Sequence, residues 1–263
     1  MYSRFQLAFK YINYYLNASN GKGHGIHSPF VFDFIKNVLH DGDKDDLEKV
    51  ELQRQKLVDD QTILTVEDHG AGSSSQSNKR AIASIAKHAL KSKKYAQLLY
   101  RIVKYYKPKR IVELGTSLGI TTVYFSMANP DAEITTLEGA AEIAKTAKNN
   151  FSQLGRTNIT LIEGNFDYTL PAVLYQVSAI DFAFIDGNHR REPTLSYFNQ
   201  LLAKTNNNSV IVLDDIHWSE DMEQAWNQIK EHAAVRCTID LFFIGIVFMR
   251  KEFKEKQHFT IRF

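Results

Sequence analysis

The sequence predicts an α/β fold with a doubly wound, mostly parallel sheet, an antiparallel C-terminal edge and a helical N-terminal cap. From residue 107 onward, short apolar segments alternate with segments of helical spacing, which is typical of a parallel sheet covered on both faces. Residues 235–250 and 258–263 are rich in β-formers with no helical segment between them, which favours an antiparallel edge. Residues 1–106 lack the alternation and look helical, so they predict the cap.

The alternation of apolar segments with segments of helical spacing predicts the strands and helices in chain order. The predicted strands are RIVELG (110–115), AEITTLEG (132–139), NITLIEGNF (158–166), AIDFAFIDG (179–187) and SVIVLDD (209–215). The predicted helices cover residues 120–128, 140–151, about 169–175, 192–204 and 219–233. Pro193 suits the first turn of its helix, where its missing N–H would have no partner. Ser219 suits the N-cap position, where its hydroxyl accepts a backbone N–H.

The change of pattern predicts two regions, a helical cap over residues 1–93 and an α/β domain over residues 94–263. In an open α/β sheet, ligands bind beside the carboxyl ends of the strands, so a cap near that edge could close over a ligand. The segment EDHGAGSSS (67–75) has an acid before two glycines, but no Asp or Glu follows it before Glu113. We therefore predict a flexible loop there, not a second binding motif.

Composition predicts a cytoplasmic globular protein without membrane contact. Hydrophobic residues make up 44% and charged residues 24% of the 263 residues, an ordinary globular balance. Cys237 is the single cysteine, so no intrachain disulfide can form, which suits a reducing compartment. No run approaches the roughly 18 apolar residues of a membrane span. The N-terminus lacks the continuous apolar core of a signal peptide.

The net charge of +2 hides an uneven distribution. Eleven Lys or Arg lie between Lys79 and Arg110, and no Asp or Glu occurs from His69 to Val112. This block is either the solvated outer face of packed helices or a basic patch for an anionic substrate or RNA. The apolar residues within it recur at helical spacing, so we favour the first interpretation.

The segment RIVELGTSLGITT (110–122) has the form of a ligand-binding loop after a strand. A phosphate-binding loop requires Lys after the second glycine, and none follows Gly119. A dinucleotide loop has the form G-x-G-x-x-G, but Ser117 stands at the position of the middle glycine. A third interpretation is a nucleoside ligand without phosphates. Glu113 could attract an amine of such a ligand, and Thr121 with the helix N-terminus could bind a carboxylate.

The residues at the ends of the second and third predicted strands favour a nucleoside ligand. Glu138 lies 23 residues after Gly115, where a carboxylate can accept both ribose hydroxyls. Asn165, after the third strand, could bond an adenine edge. Phe166 could either pack on the adenine face or belong to the core. S-adenosylmethionine fits this pattern because it carries an amine and a carboxylate but no phosphate.

Here the sequence resembles a known family. VELGTSLGITT followed by ITTLEGA resembles the first two cofactor motifs of class I S-adenosylmethionine-dependent methyltransferases, over residues 94–250. It is most similar to small-molecule O-methyltransferases of the catechol and caffeoyl-coenzyme A type. The N-terminal segment GHGIHSPFVFDFI departs from the catechol-type pattern and resembles a bacterial branch without an assigned substrate. The resemblance implies a Rossmann-like cofactor domain over residues 94–263. The cofactor-binding residues we predict are Glu113, Gly115, Thr116, Gly119, Thr121, Glu138, Gly139, Asn165, Phe166 and Asp186.

Two further predicted strands end in acidic residues, which are candidates for metal binding and catalysis. Asp186 follows one strand, and Asp214 and Asp215 follow the next. Carboxylates that converge repel each other unless a cation neutralises them or one is protonated, and oxygen ligands suit Mg²⁺ or Ca²⁺. In the O-methyltransferases that the sequence resembles, an Asp and an Asp-Asn pair at these positions hold a divalent ion. Here Asp215 replaces the Asn, and the extra charge could strengthen the site or show that its use has changed.

The same resemblance places the general base at His189, where the family has Lys. A neutral histidine is available near pH 7 without a large shift of its pKa. His189 could instead cap the helix that begins near Pro193 or pair with Asp186, which we also predict as a catalytic residue. His217 is a second candidate base.

The predicted function is methyl transfer from S-adenosylmethionine to an oxygen of a small-molecule acceptor, with a divalent cation as an open question. Three alternatives stay open: methylation of RNA through residues 79–110, a protein that binds the cofactor without turnover, and a nicotinamide-dependent oxidoreductase. A homodimer is expected only by analogy with related enzymes. The aromatic residues near both ends of the chain suit a core or a dimer surface.

Overall fold

The structure is a computed structural model that describes residues 1–41, 46–66 and 78–263. Its helices are α1 (Arg4–Asn17), α2 (Pro29–Phe34), α3 (Glu48–Asp59), α4 (Ile82–Ala89), α5 (Lys93–Tyr106), α6 (Ile120–Ala128), α7 (Ala141–Gln153), α8 (Phe166–Gln176), α9 (Arg191–Leu202) and α10 (Glu220–Glu231). A π-helical turn, Ile35–Leu39, follows α2. The strands are β1 (Ile63–Thr65), β2 (Lys79–Ala81), β3 (Arg110–Leu114), β4 (Glu133–Glu138), β5 (Ile159–Glu163), β6 (Ile180–Ile185), β7 (Thr205–Asp214), β8 (Cys237–Asp240), β9 (Ile244–Phe248) and β10 (Gln257–Thr260).

The main sheet has eight strands in the order β10-β8-β9-β7-β6-β3-β4-β5. The pairs β3–β4, β4–β5, β6–β7 and β8–β10 are parallel, whereas β9 is antiparallel to both β7 and β8. The predicted α/β class with a mostly parallel sheet and an antiparallel C-terminal element is therefore confirmed. The antiparallel element is the single strand β9, which lies inside the sheet, while the outermost strand β10 runs parallel to its neighbour.

The described chain forms two compact units. One unit comprises residues 1–41 and 177–263, and the other comprises residues 42–176. These boundaries differ from the predicted division into residues 1–93 and 94–263, which stays a prediction. The N-terminal part is mainly helical as expected, and it also contains a two-stranded antiparallel sheet, β1–β2. The predicted loop at residues 67–75 lies outside the described residues.

Local sequence explains the main elements of residues 42–176. Leu98, Leu99, Ile102 and Val103 of α5 are fully buried, and the first seven residues of α6 are buried as well. Five of the eleven Lys and Arg residues of the 79–110 block lie on α4 and α5, which pack through apolar faces: Lys87, Lys93, Lys94, Arg101 and Lys104. Among the helices of the described residues, none has both the length and the apolar content of a membrane span.

Ser219 caps α10 as predicted. Its side-chain oxygen accepts the N–H of Met222 at 3.2 Å. Pro193 is the third residue of α9, within the first turn. β7 begins at Thr205, four residues earlier than predicted, because Asn206–Asn208 extend a strand that the apolar pattern marks only from Ser209 onward.

Gly119 allows α6 and α7 to approach each other closely. Its φ is +80°, and a Cβ at this position would lie 2.5 Å from Cε1 of Phe151 and 3.2 Å from Cβ of Ala147. A side chain would therefore require both a left-handed backbone and a displaced ring. Packing against Phe151 is thus a sufficient reason for glycine here.

Gly119→Ala is expected to lower the free energy of unfolding by about 3 kcal/mol, because backbone strain and overpacking add. Gly155→Ala is the matched control, because Gly155 has φ +64° and nothing within 4 Å of its added Cβ. That variant should lose only about 1 kcal/mol, the strain of the left-handed backbone. Urea denaturation measures both values. Equal losses in the two variants would show that contact with Phe151 does not matter.

Candidate active site

The loop between β3 and α6 is anchored on the end of β4. The backbone N–H groups of Gly115 and Thr116 both donate to the carbonyl oxygen of Leu137, at 3.0 and 3.1 Å. Gly115 and Ser117 have positive φ values of 98° and 48°. The loop therefore has a fixed, partly left-handed backbone whose N–H groups point toward β4.

Glu138 holds the next position of this loop. Its Oε2 accepts the backbone N–H of Ser117 at 2.8 Å, and its Oε1 accepts the N–H of Ala140 at 3.0 Å. Glu138 is half-buried at the last position of β4, where the sequence placed a ribose-binding carboxylate. Its predicted contact with ribose hydroxyls remains a prediction.

Glu113 lies beneath the loop and is fully buried. Its Oε2 accepts the hydroxyls of Thr122 at 2.5 Å and Thr136 at 2.7 Å. Because Thr136 gives its proton to Glu113, the 2.6 Å contact between the Thr116 and Thr136 hydroxyls is donated by Thr116. Three threonines thus connect this carboxyl group to the loop, to α6 and to β4. The sequence signal for this network is hydroxyl side chains at buried positions of an otherwise apolar strand and helix.

Burial raises the pKa of Glu113 to about 7, against the opposing effect of the hydroxyls of Thr122 and Thr136, and the charge of Glu138 raises it further. Among the described residues, Oε1 of Glu113 has no hydrogen-bond partner. The sequence placed this carboxylate at the amine of a ligand. The structure places it under the loop as an anchor, and the contact with an amine remains a prediction.

The other predicted cofactor residues lie at the ends of the same elements. Thr121 is in the first turn of α6 and is 8% exposed. Gly139 lies in the half-buried turn between β4 and α7. Asn165 immediately precedes α8, and its Oδ1 accepts the N–H of Asp167 at 2.8 Å. Phe166 is the first residue of α8 and is half-buried. The predicted adenine contacts of Asn165 and Phe166 remain predictions.

A second group of polar side chains lies in the other unit. Asp186, His189 and Asp214 each offer one ligand atom, and these atoms all lie within 4.8 Å of one another. Nε2 of His189 is 3.6 Å from Oδ1 of Asp186, so the predicted pairing of these two residues is observed. Asp214 is the last residue of β7 and is 2% exposed. Trp218 lies beside His189, with ring centroids 5.7 Å apart, a contact that no sequence pattern indicates.

The group contains His189 where the sequence predicts Asp215. Within the described part of the chain, the group contains Asp186, His189 and Asp214 but not Asp215. Asp215 lies just beyond the end of β7, where the alternation of the strand stops, and it has a left-handed backbone, with φ +53°. The predicted metal site of Asp186, Asp214 and Asp215 remains a prediction.

His217 is bound on both sides by carboxylates. Its Nδ1 is 3.0 Å from Oε1 of Glu223, and its Nε2 is 2.8 Å from Oδ2 of Asp240. Burial lowers the pKa of His217, but the two carboxylates outweigh this effect and raise the pKa above its ordinary value. The ring also stacks on Phe242, with centroids 5.2 Å apart. Both ring nitrogens thus contact carboxylates that favour the protonated form, which does not favour a role of His217 as general base.

Stability should depend on pH through Glu113. Since the pKa of Glu113 is raised from 4.5 to about 7, the folded state holds the proton more tightly than the unfolded chain. The stabilisation of the folded state by this tighter proton binding is complete below pH 4.5 and is lost as the pH rises through about 7. Because of Glu113, we expect the free energy of unfolding at pH 8 to be lower than at about pH 4.5 by up to about 3 kcal/mol.

Urea denaturation at several pH values tests this expectation on wild type and Glu113→Gln. The variant should lack this part of the pH dependence. Glu231→Gln is the control, because the Glu231 side chain is 81% exposed and should not change the slope. Parallel pH profiles of wild type and Glu113→Gln would contradict the raised pKa.

Comparison with known proteins identifies the domain. Residues 112–216 match a protein family described as a methyltransferase domain. No curated protein matches the chain significantly.

Solved structures share the fold at low sequence identity. The O-methyltransferase from Bacillus cereus, in complex with S-adenosylhomocysteine (SAH), is 18% identical with a TM-score of 0.57, and the match covers 83% of this chain and 97% of that one. TomG from Streptomyces achromogenes, an O-methyltransferase of tomaymycin synthesis in complex with S-adenosylmethionine, is 17% identical with a TM-score of 0.54, covering 61% and 81%. The SAH-bound methyltransferase PaMTH1 from Podospora anserina is 16% identical with a TM-score of 0.53, covering 78% and 97%.

These structures share the fold of this chain. The family match covers β3 to the end of β7, which includes the glycine loop, Glu138 and the Asp186 group. Residues 112–216 thus match a methyltransferase domain, and the solved methyltransferase structures share the fold of this chain.

Proposed function

We propose that this chain transfers the methyl group of S-adenosylmethionine to an oxygen atom of a small-molecule acceptor. The observation that carries the proposal is the group of Asp186, His189 and Asp214, which pairs an imidazole with carboxylates at the ends of β6 and β7. An acceptor hydroxyl must lose its proton when it attacks a methyl group. A histidine paired with a carboxylate can take that proton.

We propose that the loop between β3 and α6 binds the cofactor together with Glu138. The carboxylate of Glu138 fixes the loop through Ser117, and its position at the end of β4 suits an acceptor for ribose hydroxyls. The N-terminus of α6, with Thr121 in its first turn, suits the carboxylate of the methionyl group. Ser117 stands at the position of the middle glycine of a dinucleotide loop, which argues against a ligand whose pyrophosphate lies close to the backbone. The cofactors named for the Bacillus cereus enzyme and TomG support the same choice.

Methyl transfer is an in-line displacement, so the protein must align two groups and manage one proton. The acceptor oxygen forms a bond to the methyl carbon as the carbon–sulfur bond breaks, and SAH leaves as the product. His189 accepts the hydroxyl proton, and Asp186, 3.6 Å away, stabilises the imidazolium that results. Asp214 adds a second negative charge within 4.8 Å.

The same three side chains also suit a divalent cation. Two carboxylates and one imidazole differ from the all-oxygen set expected for Mg²⁺ or Ca²⁺, and they suit Mn²⁺ or Zn²⁺ better. A bound cation would polarise a coordinated acceptor hydroxyl and lower its pKa. A ring nitrogen that ligates a cation cannot accept a proton, so base and ligand are alternative roles for His189.

His189→Ala is expected to lower the rate of SAH formation by about 10²- to 10⁴-fold, the usual contribution of a general base. The assay offers a panel of phenols, catechols and aliphatic alcohols as acceptors, and SAH affinity should stay unchanged. His217→Asn is the matched control, because the side chains of His189 and His217 are both 23% exposed. Assayed below its melting temperature, the control should keep its turnover. Full activity in His189→Ala would contradict both roles of this residue.

Chelation separates the two roles of His189. If His189 is the base, wild-type activity survives EDTA. If His189 is a ligand, EDTA abolishes the activity and added Mn²⁺ restores it in wild type but not in His189→Ala.

A further inference from the structure

The turn that follows β7 begins and ends beside His189. Asp214, the last residue of β7, offers a carboxylate oxygen within 4.8 Å of the His189 imidazole. The ring of Trp218 lies against the same imidazole, with centroids 5.7 Å apart and planes inclined by 56°. The N–H of Trp218 donates to the carbonyl oxygen of Asp215 at 3.0 Å, which closes the turn. The position of the Trp218 ring beside His189 therefore depends on the backbone of this turn.

Tyr2, just before α1, is bonded to this turn. Its backbone N–H donates to the carbonyl oxygen of Trp218 at 3.1 Å. The next residue, Ser3, forms a complete capping box with Gln6 and so fixes the first turn of α1. A single backbone hydrogen bond contributes little net free energy, and the first residues of a chain are poorly ordered unless further contacts hold them. Tyr2 therefore needs other anchors to stay at Trp218.

Contacts among Tyr2, Lys10 and Glu223 supply these anchors. The Tyr2 hydroxyl donates to Oε2 of Glu223 at 2.8 Å. Nζ of Lys10 donates to both carboxylate oxygens of Glu223, at 3.0 Å each, and lies 4.4 Å from the centre of the Tyr2 ring. Lys10 thus binds the Tyr2 ring through a cation–π contact and the Glu223 carboxylate through charge-assisted hydrogen bonds. The side chain of Tyr2 is held from two directions.

Glu223 is a firm attachment point because it belongs to the helix that follows the turn. It lies in the first turn of α10, behind the N-cap Ser219, where a negative charge is favourable. Burial raises the pKa of Glu223, but hydrogen bonds from His217, Lys10 and Tyr2 outweigh burial and lower the pKa. Tyr2 and Lys10 contact the carboxylate directly, so their attachment does not pass through the His217 imidazole.

We propose that Tyr2 is a positioning residue of the active site. Its N–H holds the carbonyl group of Trp218, and the Trp218 ring in turn restricts the orientation of the His189 imidazole. Lys10 and Glu223 act by holding Tyr2 in place. All five residues belong to the same compact unit, which comprises residues 1–41 and 177–263. The proposal rests on the role proposed above for His189 in methyl transfer.

Acrylamide quenching of tryptophan fluorescence measures whether Trp218 is held. Of the two tryptophans in the chain, Trp226 is 1% exposed and Trp218 is half-buried, so the quencher reports mainly on Trp218. Lys10→Met should increase the quenching, because a released Trp218 becomes more accessible. Arg4→Met is the matched control, since it removes an exposed positive charge from the same helix and should change nothing. In a Trp218→Phe background, Lys10→Met should have no effect on the quenching.

Turnover measures whether the position of Trp218 matters to His189. Below their melting temperatures, Lys10→Met and Tyr2→Ala should each lower kcat by roughly 10- to 100-fold, as a small misplacement of reacting groups does. SAH affinity should stay unchanged, because none of these residues lies on the loop between β3 and α6. Lys10→Arg should keep the turnover of wild type, since a guanidinium can also donate to both oxygens of Glu223. Loss of stability alone would lower the melting temperature and leave kcat unchanged.

Two results would overturn the proposal while the proposed function stands. Equal quenching in Lys10→Met and Arg4→Met, in a chain whose wild type is active, would show that Lys10 does not hold Trp218. Increased quenching with unchanged kcat would show that His189 does not depend on Trp218. A wild type that methylates none of the acceptors would instead overturn the proposed function, and the positioning role of Tyr2 with it.

Discussion

The loop between β3 and α6 keeps its shape because the end of β4 accepts three successive N–H groups from it. The carbonyl oxygen of Leu137 takes the N–H groups of Gly115 and Thr116, and the carboxylate of Glu138 takes that of Ser117. A backbone with left-handed residues is unfavourable unless such bonds hold it. The cofactor site proposed for the loop, and the close packing of α6 on α7, both depend on these contacts.

Two carboxylates beside this loop have different roles because their burial differs. Glu113 and Glu138 both follow apolar residues of a strand, and the sequence alone assigns both to a ligand. Glu113 is fully buried with its pKa raised to about 7, whereas Glu138 is half-buried and binds the loop backbone. The different roles of Glu113 and Glu138 depend on Thr122 and Thr136, whose hydroxyls both donate to Glu113 and come together only in the folded chain.

The alternation of apolar segments and helical spacing predicted the strands and helices from β3 to α10 because this pattern is local. The candidate site was less predictable, because the direction of a side chain beyond a strand end depends on the local backbone. Asn188, His189 and Asp215 all have positive φ, and the group that forms contains His189 but not Asp215. The pattern of α1 is also ambiguous: its sequence is aromatic on both sides, and only the contact of Tyr11 and Tyr14 with Phe242 shows which side is buried.

Thermal unfolding with and without ligands tests most directly whether the 110–122 loop holds an S-adenosyl cofactor. The melting temperature is measured with SAH, with NAD and with neither. A ligand that binds only the folded state adds about 2.7 kcal/mol at 100 times its Kd, which corresponds to roughly 5–10 °C for a chain of this size. We predict such a rise with SAH and none with NAD. A rise with NAD alone would contradict the cofactor site proposed for this loop.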